Sequence, residues 1–191
     1  MMKLPSPRLL RAAVGLAALG ALAVAAQAAN TDANGTLTAG GLTNTAPAIT
    51  PFALTLNGST QTVTTAVGAW AVTDATGSNA GYSVTVAATA PTVTGAAGAS
   101  AGTGSSLTLT PTTATAAAGN PATTGPVAEA AQTLGTTPST IDNATAGTGQ
   151  GEWDFAADSG SAANLSIVIP ADASAGAYSS TLTFTTSVPV T

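Results

Sequence analysis

Residues 165–186 read LSIVIPADASAGAYSSTLTFTT, and this stretch decides the fold class. Apolar side chains stand at positions 165, 167 and 169 and again at 178, 182 and 184, and Ser or Thr fills most positions between them. A period of two directs one set of side chains inward and the other toward water, as in a half-buried β-strand. Pro170 and the stretch Asp172–Gly176 separate the two runs. The stretch therefore predicts two short strands joined by a turn.

The same alternation recurs along the chain, in Phe52–Asn57, Gln61–Thr65, Trp70–Thr73, Tyr82–Val86 and Leu107–Thr110. Asn57-Gly58 predicts a two-residue hairpin that joins the first two of these runs. We expect an all-β fold, a β-sandwich or Greek-key arrangement of about 7–10 short antiparallel strands in a single domain.

Two segments have a weaker pattern. Residues 95–105 consist of Gly, Ala, Ser and Thr and predict a loop. Residues 112–150 are rich in Ala, Thr, Pro and Gly and are expected to be partly loop. Within them, Val127–Leu134 is compatible with either a short helix or a strand.

The first 28 residues predict a cleaved secretory signal peptide. Three basic residues precede an apolar run at residues 12–26, and Ala26-Gln27-Ala28 supplies the small-x-small cleavage pattern. An uncut membrane anchor is the alternative, but the run is shorter than the ~20 residues that span a bilayer as a helix. We expect residues 1–28 to be the signal peptide and residues 29–191 the secreted domain, with no membrane span after cleavage.

Cleavage removes every basic side chain. All three Lys and Arg residues lie in residues 1–28, whereas all eight Asp and Glu residues lie beyond them, so residues 29–191 carry a net charge of −8. Binding to nucleic acid needs cationic side chains that displace condensed counterions, and this composition excludes it. The chain also has no His and no Cys. Zinc and copper sites of the usual kind, disulfide bonds and cofactors are therefore not expected.

Motifs that suggest catalysis lack their partners. Gly98-Ala-Ser100-Ala-Gly102 has the pattern of a nucleophile elbow, but the chain contains no His to act as base. Asp158-Ser-Gly160 is a single copy of an element that aspartic proteases need twice. Glu152 and Asp154 would share one face of a strand, and a carboxylate-pair glycosidase stays open as a remote alternative.

Calcium is the one metal that the composition permits, held by carboxylates near Asp154, Asp158 or Asp172. Caps of turns are the favoured interpretation of these Asp residues. We therefore predict no metal site and no enzymatic activity.

Several motifs, in order, resemble the WxL domain, a family of surface proteins of Gram-positive bacteria. The motifs are Leu54–Gly58, Trp70–Val86, Ile141–Trp153, Leu165–Ala171 and Ala175–Thr186. In the family the Trp-x-Leu motif occurs twice. Tyr82-Ser-Val84 and Phe184-Thr-Thr186 stand at those positions here, so this chain resembles a divergent member in which other aromatic residues replace both tryptophans.

The resemblance implies non-covalent attachment to the cell wall, with peptidoglycan as the ligand and other surface proteins as further partners. Under this interpretation the candidate wall-binding residues are Trp70, Tyr82, Val84, Trp153, Tyr178 and Phe184. The alternation of their strands favours a core position for Tyr82 and Phe184. The alternative function is a structural subunit of a surface layer, pilus or matrix fibre, in which Tyr178–Thr186 pairs with the edge of a neighbour.

Overall fold

The structure is a computed structural model that describes residues 35–120, 124–156 and 165–189. The predicted signal peptide and Asp158 lie outside these residues. Residues 37–191 form one compact unit. The described residues contain 14 strands and no helix. The strands are β1 Leu42–Asn44, β2 Gln61–Thr65, β3 Trp70–Asp74, β4 Tyr82–Ala88, β5 Thr92–Gly95, β6 Ser106–Leu109, β7 Ala114–Ala116, β8 Val127–Ala128, β9 Gln132–Leu134, β10 Ser139–Ala144, β11 Gly151–Phe155, β12 Leu165–Ile169, β13 Gly176–Ser179 and β14 Leu182–Ser187.

These strands confirm the predicted all-β class. Every pairing between them is antiparallel. The number of strands exceeds the expected range of about 7–10 for two reasons. Residues 112–150 contribute four short strands, β7 to β10. Short breaks also divide one long strand pair into β4–β14 and β5–β13, and hydrogen bonds between Thr89 and Thr181 span the break.

The strands form four sheets around one hydrophobic core. The sheet orders are β1-β3-β11-β7, β14-β4-β10-β8, β2-β12-β6-β9 and the pair β13-β5. The central strands β3, β4, β6, β11 and β12 bury every second side chain, and in β4 Tyr82, Val84 and Val86 have no exposed surface. Burial of one such aliphatic side chain stabilises the fold by about 1.5–3 kcal/mol. The Thr and Ser residues between them face outward, where β-branched side chains favour the extended backbone.

The predicted hairpin at Asn57-Gly58 forms only its turn. Gly58 has φ 79°, and the carboxamide oxygen of Asn57 accepts hydrogen bonds from the backbone N–H and the hydroxyl of Ser59, at 3.0 and 2.7 Å. Residues 51–57 belong to no strand, so the prediction of a strand over Phe52–Asn57 is wrong. The Phe52 ring instead packs edge-on against Tyr178.

Gly81 turns the chain into β4 at a position that admits no other residue without strain. Its φ is 76°, and a Cβ added there would lie 2.2 Å from the carbonyl oxygen of Ala144. Gly77 is a natural control, because its φ is 65° and a Cβ added there would meet no atom within 4 Å.

We expect Gly81→Ala to lower the free energy of unfolding by about 1–3 kcal/mol more than Gly77→Ala. Both substitutions force Ala into the left-handed region, but only Gly81→Ala also adds a backbone clash. Chemical denaturation of the two variants measures the difference. Equal losses would show that the contact with Ala144 relaxes without cost.

Candidate functional site

The first Trp of the chain lies in an aromatic cluster that joins two sheets. Trp70 in β3 stacks on Phe155 in β11, with ring centroids 3.8 Å apart and an angle of 10° between the planes. Phe184 in β14 contacts the same indole at 5.6 Å and 54°. Trp70 is 7% exposed and Phe155 is fully buried, whereas Phe184 is half-buried. The cluster therefore brings two of the predicted site residues, Trp70 and Phe184, into one hydrophobic contact.

Tyr82 and Val84, which occupy the first motif position, lie on the inward face of β4. Both are fully buried. The hydroxyl of Tyr82 has no hydrogen-bond partner among the described residues. Burial raises the pKa of this phenol, and the charges of Asp142 and Asp74 raise it further. Tyr82 is therefore enclosed by other groups of the domain in this structure.

Two buried carboxyl groups lie near Tyr82. Asp74 continues the inward face of Trp70 and Val72 in β3, whereas alternation does not predict the burial of Asp142. Asp142 is fully buried, and both of its carboxylate oxygens lack a partner among the described residues. Burial, and secondarily the charge of Glu129, raises the pKa of Asp142 to about 8. Asp74 is better satisfied, because one of its oxygens accepts hydrogen bonds from the backbone N–H and the hydroxyl of Thr76, at 3.0 and 2.6 Å.

A β-bulge explains why Asp142 points inward. The pairing of β10 with β4 shifts register between Thr140 and Asp142, so that Ile141 and Asp142 are both buried. Alternation alone would have placed Asp142 on the outer face beside a buried Ile141. A bulge adds one residue to one strand of a pair. No residue type in this segment indicates that a bulge forms here.

Trp153 lies in β11, two residues before Phe155, and is 5% exposed. Its indole N–H donates a hydrogen bond to the carbonyl of Gln150 at 3.1 Å. One face of the ring is covered by Gly125, where a Cβ would come within 2.3 Å of the indole. Trp153 is therefore a buried core residue whose indole N–H is hydrogen-bonded within the protein.

Tyr178 lies at a more open place, beside a cavity that we name the side groove. The groove has a volume of about 930 Å³. Its floor is formed by β6 and β12, one wall by residues 49–56, and the other wall by residues 173–180. Tyr178 contacts Phe52 with ring centroids 5.4 Å apart, and its hydroxyl lies 3.3 Å from that of Ser105. Among the described residues, no charged side chain lines the groove.

The carboxylates that suggested other chemistry do not converge. Glu152 and Asp154 are exposed on the outer face of β11, alternating with buried Trp153 and Phe155. Asp172 accepts two hydrogen bonds from the backbone N–H of Thr103, at 3.1 and 3.0 Å, and these bonds lower its pKa. In the part of the chain that the structure describes, no three acidic side chains come together as a metal site would require.

The nucleophile-elbow pattern lies in a turn between β5 and β6. The hydroxyl of Ser100 accepts a hydrogen bond from the backbone N–H of Gly102 at 3.1 Å. This bond closes a local turn within Gly98–Gly102, so the Ser100 hydroxyl stabilises the backbone of its own loop. Within the described ranges, no helix has the length and apolar character needed to cross a membrane.

The six predicted site residues thus fall into four places. Trp70 and Phe184 share the aromatic cluster, and Tyr82 and Val84 lie side by side in the core. Trp153 lies against Gly125, and Tyr178 lines the side groove. A role in wall binding stays a prediction for all six. Four of them, Trp70, Tyr82, Val84 and Trp153, are buried and reach an external polymer only if the fold opens.

Comparison with known proteins gives one assignment. No curated protein and no solved structure matches the chain. The family model described as "WxL domain surface cell wall-binding" matches residues 43–189. The matched region includes every strand from β2 to β14, the aromatic cluster and the side groove. The chain therefore belongs to the WxL domain family of surface cell-wall-binding proteins.

Proposed function

We propose that residues 29–191 are secreted, bind the peptidoglycan of the cell wall without a covalent bond, and catalyse no reaction. The match of the WxL domain model to residues 43–189 carries this proposal. The composition supports its non-catalytic part, because residues 29–191 contain no His, Cys, Lys or Arg. Attachment to other surface proteins belongs to the same proposal, as the family resemblance implies.

The outer face of one sheet offers a surface that suits a neutral glycan. Four hydroxyl side chains stand in register across β2, β12, β6 and β9, and we name them the hydroxyl row: Thr64, Ser166, Thr108 and Thr133. Neighbouring strands lie about 4.8 Å apart, so the row extends roughly 14 Å. Hydroxyl groups both donate and accept hydrogen bonds, which matches the hydroxyl and amide groups of a polysaccharide. We place the wall contact on this face.

Two matched substitutions test this placement. Thr108→Glu puts a carboxylate at the middle of the hydroxyl row, whereas Thr185→Glu puts one on the outer face of β14, opposite Thr85. We expect Thr108→Glu to lower the amount of protein that sediments with purified peptidoglycan at least tenfold, and Thr185→Glu to leave it unchanged. The reverse order would move the contact to the sheet of β4 and β14. Equal binding by both variants would contradict either placement.

The response to salt is a separate prediction. A domain with net charge −8 and no basic residue repels the anionic polymers of a wall, and salt screens that repulsion. We expect binding to stay constant or to increase between about 50 and about 500 mM NaCl, a range over which the Debye length falls about threefold. Wall binders that use basic patches would lose binding over this range. Sedimentation with intact walls over this range measures the effect. A steep loss of binding with salt would contradict a contact without cations.

A further inference from the structure

The segment that walls the side groove has an unsatisfied backbone. Thr50 is tied to the fold, because its N–H donates to the carbonyl of Ala66 at 3.0 Å. Beyond it, the carbonyl of Thr55 accepts a bond from the side chain of Gln61 at 3.2 Å. Residues 52–54 belong to no strand and make no backbone hydrogen bond with the described residues, and their side chains alternate in exposure. Backbone groups without partners beside a groove can pair with an added strand.

The opposite wall is an edge strand. Among the described strands β13 pairs with β5 alone, so half of its backbone groups point away from that partner. Side chains that both walls turn toward the core are only half-buried, as Phe52, Leu54 and Tyr178 show. The floor between them is apolar, and Leu165 and Ile167 are already buried, at 1% and 2% exposure. The groove therefore offers unpaired backbone and the half-buried side chains of its walls to one added strand.

The chain itself carries a segment suited to that place, which we name the arm, residues 35–39. Every residue of the arm is exposed, and Leu37 is 102% exposed, as in an extended peptide. Thr36-Leu37-Thr38-Ala39 alternates polar with apolar side chains and carries no charge. The next residue, Gly40, is anchored by a hydrogen bond from its N–H to the carbonyl of Ala75 at 2.8 Å.

We propose that the arm of one copy of this chain inserts as a strand into the side groove of a second copy. In this arrangement the backbone of the arm pairs with β13 and with residues 52–54, and Leu37 packs against the half-buried side chains of Phe52 and Leu54. This mode of recognition is strand addition, in which main-chain bonds give affinity and alternate side chains give specificity. It goes beyond wall binding, and it makes β13 the acceptor of a strand rather than the donor.

The arm and the groove are different surfaces, so the contact is heterologous. Repetition of such a contact produces a head-to-tail chain of copies or a closed ring. The net charge of −8 on residues 29–191 of each copy opposes association, and screening by salt relieves the repulsion. Assembly should therefore increase with both protein and salt concentration, and it needs no cell wall.

Sedimentation velocity of purified residues 29–191 tests the proposal. We expect species larger than the monomer whose fraction rises with protein and salt concentration, and we expect Leu37→Asn to return the protein to the monomer. Val127→Asn is the matched control, because Val127 is also an exposed apolar residue, at 68%, but lies in β8 away from arm and groove. A monomer under all conditions would overturn the proposal, as would equal effects of the two variants.

Cross-linking identifies the two surfaces directly, since the chain has no cysteine. A chain with Ala39→Cys is mixed under mild oxidation with a chain carrying Leu56→Cys, a groove residue that is 38% exposed. We expect disulfide-linked dimers of the two chains at least five times as abundant as in a mixture of Val127→Cys with Leu56→Cys. Equal yields would place the contact elsewhere and overturn the assignment of arm and groove. Wall binding measured on the monomeric Leu37→Asn chain then tests the proposed function separately.

Discussion

We expect Asp142→Asn to remove most of the decrease in the free energy of unfolding that the raised pKa of Asp142 predicts between pH 4 and pH 8. Burial raises the pKa of Asp142 from 3.8 to about 8 in the folded state. The folded protein therefore holds a proton on this carboxyl that the unfolded chain releases above its ordinary pKa. Asp142 weakens the fold by about 1.4 kcal/mol for each pH unit over which only the folded state keeps the proton.

The sign of this effect is specific. For a carboxyl whose folded pKa is raised, stability is complete below the unfolded pKa near 4 and declines as the pH rises through the folded pKa near 8. The groups that act on Asp142 and its surroundings are the charge of Glu129 and the phenol of Tyr82, with Asp74 beside that phenol. None of these is basic, so the site offers no cation to hold an ionised Asp142.

The measurement is the melting temperature of the parent and of Asp142→Asn across pH 4–9. The buried asparagine amide has no hydrogen-bond partner, and this lowers the free energy of unfolding of the variant by about 1–3 kcal/mol. That loss does not change with pH. We expect the parent to be as stable as the variant or more stable at pH 4, and the variant to be more stable at pH 8–9. Asp154→Asn, an exposed carboxylate on β11, is the control and should keep the slope of the parent. Parallel curves for parent and Asp142→Asn would contradict the raised pKa.

The second large effect is expected from Phe155→Ala. Phe155 has no exposed surface, and its ring stacks on Trp70 at 3.8 Å. Removal of a fully buried Phe costs about 3–5 kcal/mol, because the lost transfer free energy adds to the cost of the cavity. Phe155→Ala would also remove the ring on which the indole of Trp70 stacks.

Urea denaturation monitored by tryptophan fluorescence measures this loss. Trp70 should also shift its emission to longer wavelength in the folded variant, because water reaches the vacated site. Val127→Ala, in which the truncated side chain is 68% exposed, should change the free energy of unfolding by less than about 0.5 kcal/mol. A loss below about 1 kcal/mol for Phe155→Ala would show that the cluster does not support the core as described (the threshold lies well under the range expected for a buried Phe).

Much of the fold follows from residues with strong alternation. Tyr82–Val86, Leu165–Ile169 and Leu182–Phe184 alternate large apolar side chains with Ser and Thr, and all three are strands in the structure. The pattern is informative there because each inward side chain is large enough to repay its burial. Residues 112–150 contain mostly Ala, Thr and Gly, whose inward and outward positions differ little in hydrophobicity, so alternation could not locate β7 to β10.

The strand expected over Phe52–Asn57 failed for a different reason. Its sequence has the pattern of a strand, and its turn at Asn57-Gly58 forms as predicted. Pairing, however, depends on a neighbour that lies close in space, and Phe52 packs against Tyr178 instead. Tertiary contact overrides the local preference at this segment. Phe52 and Tyr178 both line the side groove, a feature that no local pattern predicts.

The sequence predicts which side chains face the core at the motif positions, but not what those side chains contact. The order of motifs gives Tyr82 and Phe184 as the motif positions, and alternation predicts that both face inward. Tyr82 is fully buried and Phe184 half-buried, and their role in wall binding stays a prediction. The contact of Phe184 with Trp70 connects β14 with β3, two strands more than a hundred residues apart in the chain. The local alternation of side chains does not predict contacts between such distant residues. Alternation does not predict the burial of Asp142, because the bulge in β10 turns this side chain to the inward face.

The proposed binding of this WxL domain to peptidoglycan can be measured directly. Purified residues 29–191 are titrated onto peptidoglycan from which the anionic wall polymers have been removed, and bound and unbound protein are separated by sedimentation. The account predicts saturable binding that denaturant reverses completely, with no release of sugar from the polymer. Sedimentation no greater than that of an acidic control protein of the same size would contradict it.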